Sequence, residues 1–180
     1  GIDLENVELE ETDETPPEFQ SFIDENPESD NIKLTAGVGR DTRDSIFFPT
    51  EGYLRRVTLE ATLPGSDLEY YKVTLRGSWY KSLTRSRKAV FKLAGDIGYG
   101  DGYGDLEMLP FFENYYAGGP SSVRGYDSRS LGPRDTGPTP ESIGGSKRVT
   151  ATAELLFPVP GSGDSSDKRL GLFVDAGMVY

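Results

Sequence analysis

With 180 residues, a formal charge of −11 and neither histidine nor cysteine, the chain lacks thiol nucleophiles, disulfides, zinc sites of the His/Cys kind and the imidazole general base, so most enzyme templates start badly, any hydrolase would have to run on carboxylates, hydroxyls or lysines, and no metal or cofactor is expected. The acidic balance argues against a nucleic-acid partner, whose phosphates need a basic surface. No apolar run approaches the roughly 18–20 residues of a membrane helix, while 22 glycines, 12 prolines and 10 tyrosines favour strands joined by turn-rich connections.

The charge is unevenly placed: residues 3–30 hold twelve Asp/Glu and no Lys or Arg, and the remainder is close to neutral. The chain opens at Gly1 without an initiator methionine, as a processed or cut end does. GIDLENVELE starts as an alternation and dissolves into acidic residues. PPEFQSFIDEN, residues 16–26, predicts a short helix with Pro17 near its first turn and Phe19, Phe22 and Ile23 on one side. Residues 1–30 thus read as an acidic surface loop carrying a small helix.

From residue 31 the period becomes two. NIKLTAGVGR sets Ile32, Leu34, Ala36 and Val38 against Asn31, Lys33 and Thr35. YLRRVTLEATL (53–63) puts Tyr53, Val57, Leu59, Ala61 and Leu63 on one face, spoiled only by Arg55. YYKVTLRGSWY (70–80) opposes Tyr71, Val73, Leu75 and Trp79 to Tyr70, Lys72, Thr74 and Arg76, and AVFKLAGDIGYG (89–100) opposes Phe91, Leu93, Ile97 and Tyr99 to Lys92 and Asp96. These are four strands within 31–100. Two more follow in 147–180: RVTATAELLF, with Arg148, Thr150, Thr152 and Glu154 on its polar face, and RLGLFVDAGMVY, with Arg169, Gly171, Phe173, Asp175 and Gly177 on its polar face. PGSD (64–67) reads as a tight hairpin turn, and the connections 81–87 and 161–168 are short. Residues 101–146 have no sustained period, and so long a connection is functional or disordered; its aromatics and glycines argue against disorder.

Alternation alone fits a soluble β-sandwich as well as a membrane barrel. Long charged side chains at mid-strand suit a solvated surface or a water-filled lumen. Rings flanking the apolar stretches, at Tyr53, Trp79, Tyr80, Tyr99 and Tyr103, resemble interfacial girdles. GYGDGYGD (98–105) is only superficially a nucleotide-binding loop, since no helix pattern follows it and no phosphate-binding lysine is near. Asp96, Asp101 and Asp105 are explained by a strand end and a turn before any calcium site.

The run FFENYYAGGPSSVRGYDSRSLGPR (111–134), with its tetrapeptide Val123, Arg124, Gly125, Tyr126, resembles the signature of the barrel-assembly family of outer-membrane proteins. So do DSIFFPTEGYLRRVTLEATLPGSDLEYYKVTL, IGGSKRVTATAELLFPVP and GLFVDAGMVY, in order across residues 31–180. The resemblance implies an all-β fold: an antiparallel transmembrane β-barrel segment, about six strands of a barrel of roughly sixteen, preceded by the tail of an earlier strand at GIDLENVEL, with a long loop (101–146) folded into the lumen. It implies a place in the machine that inserts and assembles outer-membrane proteins in a Gram-negative bacterium. The implied partners are the lipid bilayer and lipopolysaccharide, accessory lipoproteins and client outer-membrane proteins. A related translocation barrel and a secreted β-sandwich binding module are the alternatives.

Strand alternation places Glu154 and Asp175 on the polar face of adjacent strands, where two carboxylates need a cation between them. Arg124 offers a planar fork of donors suited to both, and the family resemblance implies the same network. Val123, Arg124, Gly125, Tyr126, Glu154 and Asp175 are therefore expected to form a loop latch, with packing around Tyr126.

Overall fold

Alternating apolar and polar residues generate strands wherever a neighbour is available to complete the ladder. A computed structural model of the chain describes residues 1–12, 15–86, 89–159 and 168–180. It has seven strands: β1 (Ile2–Glu8), β2 (Glu28–Asp41), β3 (Gly52–Thr62), β4 (Tyr70–Ser82), β5 (Val90–Gly102), β6 (Lys147–Pro158) and β7 (Arg169–Val179). Every pairing is antiparallel and between sequence neighbours, giving one sheet in the order β1 to β7. A helix, α1 (Pro17–Glu25), and a 3-10 turn, Phe111–Glu113, lie in the connections.

The N-terminal segment is not a single loop. Ile2–Glu8, expected only as the tail of an earlier strand, pairs with β2 from Ile2↔Leu34 to Glu8↔Glu28, and β2 starts at Glu28 rather than at residue 31. Acidic residues mask this strand in the sequence, but polar pairs cross the ladder: Lys33 Nζ donates to Glu5 at 3.0 Å and Asn6 Nδ2 donates to Asp30 at 2.9 Å. Such pairs stabilise a ladder where propensity alone would not. The turn expected at 64–67 sits within a longer connection, 63–69, because Leu68 is drawn into a fully buried position. The connection at 161–168 lies outside the described residues except for Lys168, as does Arg87 of the one at 81–87.

One face of the sheet is apolar and uncovered. Val38, Leu59, Leu75, Leu93, Ile97, Val149, Leu172 and Val174 are all exposed on it, Val174 to 73%. A sandwich would cover this face with a second sheet, and no second layer does so among the described residues. Rings bound the apolar surface at both ends. Trp79 and Phe91 meet at 6.2 Å on one side, and Tyr71 and Tyr99 at 6.1 Å on the other. Tyr71 to Trp79 along β4, and Phe91 to Tyr99 along β5, each take in nine residues, the length with which a tilted strand crosses a bilayer. The sheet is a segment of such a barrel wall.

The opposite face is polar and carries residues 103–146. At the end of the sheet where this loop emerges, Leu68, Tyr70 and Leu109 are buried together, with Phe22, Leu106 and Phe112 packed around them. Phe19 of α1 stacks on Phe111 at 4.2 Å, and Phe22 meets the same ring edge-on at 5.7 Å. The helix face foreseen from Phe19, Phe22 and Ile23 thus covers the foot of the loop.

Candidate functional site: the loop inside the barrel wall

The loop is ordered by pairing with itself before it meets the wall. Its two legs form a bridge at Tyr115↔Gly145, with Tyr115 N–H donating to the Gly145 carbonyl at 2.8 Å and the reverse bond at 3.0 Å. Further bridges join Ala117 to Leu131 and Arg134 to Ser142. These bonds satisfy backbone groups that a buried loop would otherwise leave orphaned. Three successive contacts then tie the loop to the polar face.

The first is at the foot. Glu113 accepts hydrogen bonds from Lys72 Nζ at 2.6 Å, Lys33 Nζ at 3.0 Å and the Tyr70 hydroxyl at 3.0 Å. Burial on its own would raise this carboxyl, but the hydrogen bonds and charges of Lys72 and Lys33 outweigh it and hold Glu113 below the usual carboxylate range. The second contact is Tyr115. Its hydroxyl lies 3.0 Å from Thr74 Oγ1, and its ring sits where a Cβ on Gly98 would stand only 2.6 Å away. Gly98 is glycine because the loop's ring needs the space, which explains part of the glycine-rich run at 98–105. Beside Tyr115, Arg148 ion-pairs with Asp96 and donates to the Tyr116 carbonyl at 3.1 Å. Asp96 also accepts from Arg76 at 2.8 Å.

The third contact is the Val123–Tyr126 tetrapeptide. Arg124 donates from Nε and Nη2 to the two oxygens of Asp175 at 2.7 and 2.8 Å, from its backbone N–H to Asp175 at 3.0 Å, and from Nη1 to Glu154 at 3.2 Å. Lys92 Nζ completes Glu154 at 3.1 Å. The paired carboxylate raises the Arg124 guanidinium above its ordinary range, Asp175 contributing most. The Asp175 side chain is 2% exposed, so a fork of charge-assisted bonds meets a carboxylate that has no water to fall back on. Glu154 faces Phe173 and Thr152 faces Asp175 in the β6–β7 register, so the two carboxylates are diagonal neighbours on one side of the wall. Glu154 lies seven positions along β6 from Lys147, so the tetrapeptide docks about 23 Å along the strand from the end where the loop leaves, at ~3.3 Å per residue.

Val123 is buried and fills the space over Gly177, where a Cβ would stand 2.5 Å from Val123 Cγ2. Tyr126 does not supply the expected packing: it is 57% exposed. Gly125, at φ 90°, turns the chain, and the side chain after it is exposed. Val123 does the packing instead. The sequence reading also missed Phe173, whose ring centroid lies 3.4 Å from the Arg124 guanidinium carbon. An aromatic residue alone on a polar strand face was its signal, and a cation over its ring is the reason. The Glu113 cluster carried no comparable signal, because Lys33, Lys72 and Glu113 lie on three separate segments. Asp96 and Asp101 point to opposite faces of β5, Asp101 accepting from the Tyr99 hydroxyl at 2.9 Å, so they do not share an ion.

Comparison with known proteins agrees with this architecture. Residues 1–180 match the Omp85 superfamily domain, a match that takes in the first 30 residues as well. The chain is 40% identical over its whole length to the outer membrane protein assembly factor BamA of Neisseria meningitidis serogroup B, of which it covers 24%. It is 33% identical, over 82% of its length, to a SAM50-like protein of Schizosaccharomyces pombe, covering 31% of that protein. Among solved structures, BamA from Haemophilus ducreyi lacking POTRA domains 1–3 superposes with a TM-score of 0.85 at 29% identity, over 94% of this chain and 36% of that one. The chain therefore spans about a quarter to a third of the length of these relatives.

Proposed function

The chain belongs to the Omp85 superfamily, and from that membership we propose that it forms part of the wall of an outer-membrane barrel that assembles other outer-membrane proteins, with residues 103–146 as an internal latch. On this reading client outer-membrane proteins are its substrates, lipid and lipopolysaccharide surround its apolar face, accessory lipoproteins of a Gram-negative cell envelope engage other parts of the longer protein, and no covalent chemistry is involved. The observation that carries the latch is the Arg124 fork on Asp175 and Glu154.

Ordering a loop of this length opposes docking by about 1–2 kcal/mol of backbone entropy per residue before any contact is counted. The contacts must exceed that cost, and the Arg124 fork is the most directional of them. A docked loop fills the lumen beside β6 and β7 and stiffens the wall. An undocked loop leaves Asp175 without its cation and the wall free to deform, which changes how the barrel yields to a client strand. In the full-length protein, Arg124→Ala is expected to expose residues 103–146 to protease and to slow client assembly. Arg124→Lys, which keeps the charge and loses the fork, falls between. Unchanged protease protection together with unchanged assembly in Arg124→Ala would remove the latch from consideration.

A further inference from the structure

Two arginines stand together on the outward, lipid-facing surface. Arg55 stands between Tyr53 and Val57 on the apolar face of β3, and Arg40 follows Val38 on the apolar face of β2. The register sets Arg40 directly opposite Arg55, an arrangement in which like charges repel. Among the described residues neither arginine has a carboxylate partner. Their interactions are with one ring: the Tyr53 centroid lies 4.5 Å from the Arg55 guanidinium carbon and 6.0 Å from that of Arg40. Asp41, the nearest acid in sequence to Arg40, lies on the opposite face of β2 and is taken by Arg43 at 2.7 and 2.9 Å.

A row of small residues continues from this pair. Arg55 is in register with Gly77, Gly77 with Gly95, Gly95 with Ala151 and Ala151 with Ala176. Between the bulkier rows on either side, which include Val57, Leu75 and Ile97 on one and Trp79 and Leu93 on the other, lies an apolar trough of about 570 Å³ that opens on Arg55. Both arginines lie toward the end of the wall away from the long loop, near the ring row of Tyr53 and Trp79.

We propose that Arg40, Arg55 and Tyr53 hold the phosphate headgroup of an anionic phospholipid from the leaflet on the side opposite the long loop, with one of its acyl chains in the trough over Gly77, Gly95 and Ala151. A guanidinium in contact with hydrocarbon must reach an anion or water at the interface. Two guanidinium forks beside one ring, with no carboxylate between them, suit a phosphate that can accept from both, as a neutral surface does not. The phosphate also removes the repulsion between the facing arginines, and Tyr53 keeps both heads turned toward the interface. The occupant is a lipid rather than free phosphate because the arginines open into the bilayer and the trough beside them accepts an apolar chain. The proposal rests on the transmembrane wall and is independent of the latch.

Trp79 lines the trough and is the only tryptophan in these 180 residues, which supplies the readout. The full-length protein is reconstituted in phosphatidylcholine vesicles containing a minor fraction of chain-brominated phosphatidylglycerol or, separately, chain-brominated phosphatidylcholine. The quenching lost in Trp79→Phe is assigned to this position. Phosphatidylglycerol is expected to quench Trp79 severalfold more than phosphatidylcholine at equal fraction, and Arg40→Gln/Arg55→Gln is expected to equalise the two. Added inorganic phosphate leaves the preference in place if the lipid is the ligand. Equal quenching by the two lipids in the unaltered protein overturns the proposal without any variant of the arginines, as does a preference that persists in the double variant.

Discussion

Gly177 and Val123 show at the scale of single residues how the wall is cut to receive the loop. A side chain at 177 would collide with Val123, so the absence of a Cβ on β7 is as much a part of the docking contact as the Arg124 fork two positions away. Gly177→Val overpacks this contact, a change that costs about 1–3 kcal/mol in well-packed surroundings, and the loop rather than the sheet is the part free to move. The expected result is faster proteolytic cleavage within 103–146 with little change in the melting of the sheet. Cleavage at the unaltered rate would mean that Val123 has another place to go. Phe173 contributes in a different way, placing a ring beneath the guanidinium so that the arginine is held from three sides.

Among the elements, α1 and the 3-10 turn at Phe111–Glu113 clamp the loop's foot from outside and inside. Glu113 is the charged half of that clamp, and its carboxyl is depressed by Lys72 and Lys33 against the opposing effect of burial. A carboxyl depressed on folding contributes stability above its unfolded pKa, and that contribution is lost as pH falls through its folded value. The melting-temperature gap between the unaltered protein and Glu113→Gln should therefore be full at neutral pH and shrink only below the usual carboxylate range, at about pH 4 and lower. A gap independent of pH would show that Glu113 acts by shape alone. Legibility in the sequence follows the same division. Six strands are visible because each places apolar residues at every second position, and Glu154 and Asp175 follow from that period without further information. β1 is hidden because Asn6 and Glu8 take the positions that would continue the apolar face of Ile2 and Leu4, and its stability comes from partners on β2. The foot cluster is hidden because its members meet only after the loop has folded back, and no local period records a contact between Lys33 and Glu113, which the chain separates by 80 positions.

For the molecule as a whole, the exposed apolar face and the two sheet edges at β1 and β7 govern behaviour in solution. An uncovered surface of this extent is stable only against lipid, detergent or another copy. The chain expressed as these 180 residues should run as large, polydisperse species in plain buffer and as a micelle-bound species in detergent, read by size-exclusion chromatography with light scattering. A monodisperse monomer without detergent would contradict the assignment of that face to the bilayer. The latch has a temporal meaning as well. Strands β1 to β7 each pair with a neighbour in the chain, so the wall grows by adding one strand beside the last. Arg124 is different, because Asp175 lies 51 positions downstream, beyond the loop and beyond β6. Until β7 has taken its place only Glu154 of β6 can engage Arg124, so full closure comes late in folding. A closed loop is thus a record of construction: it certifies that the wall has been laid as far as β7.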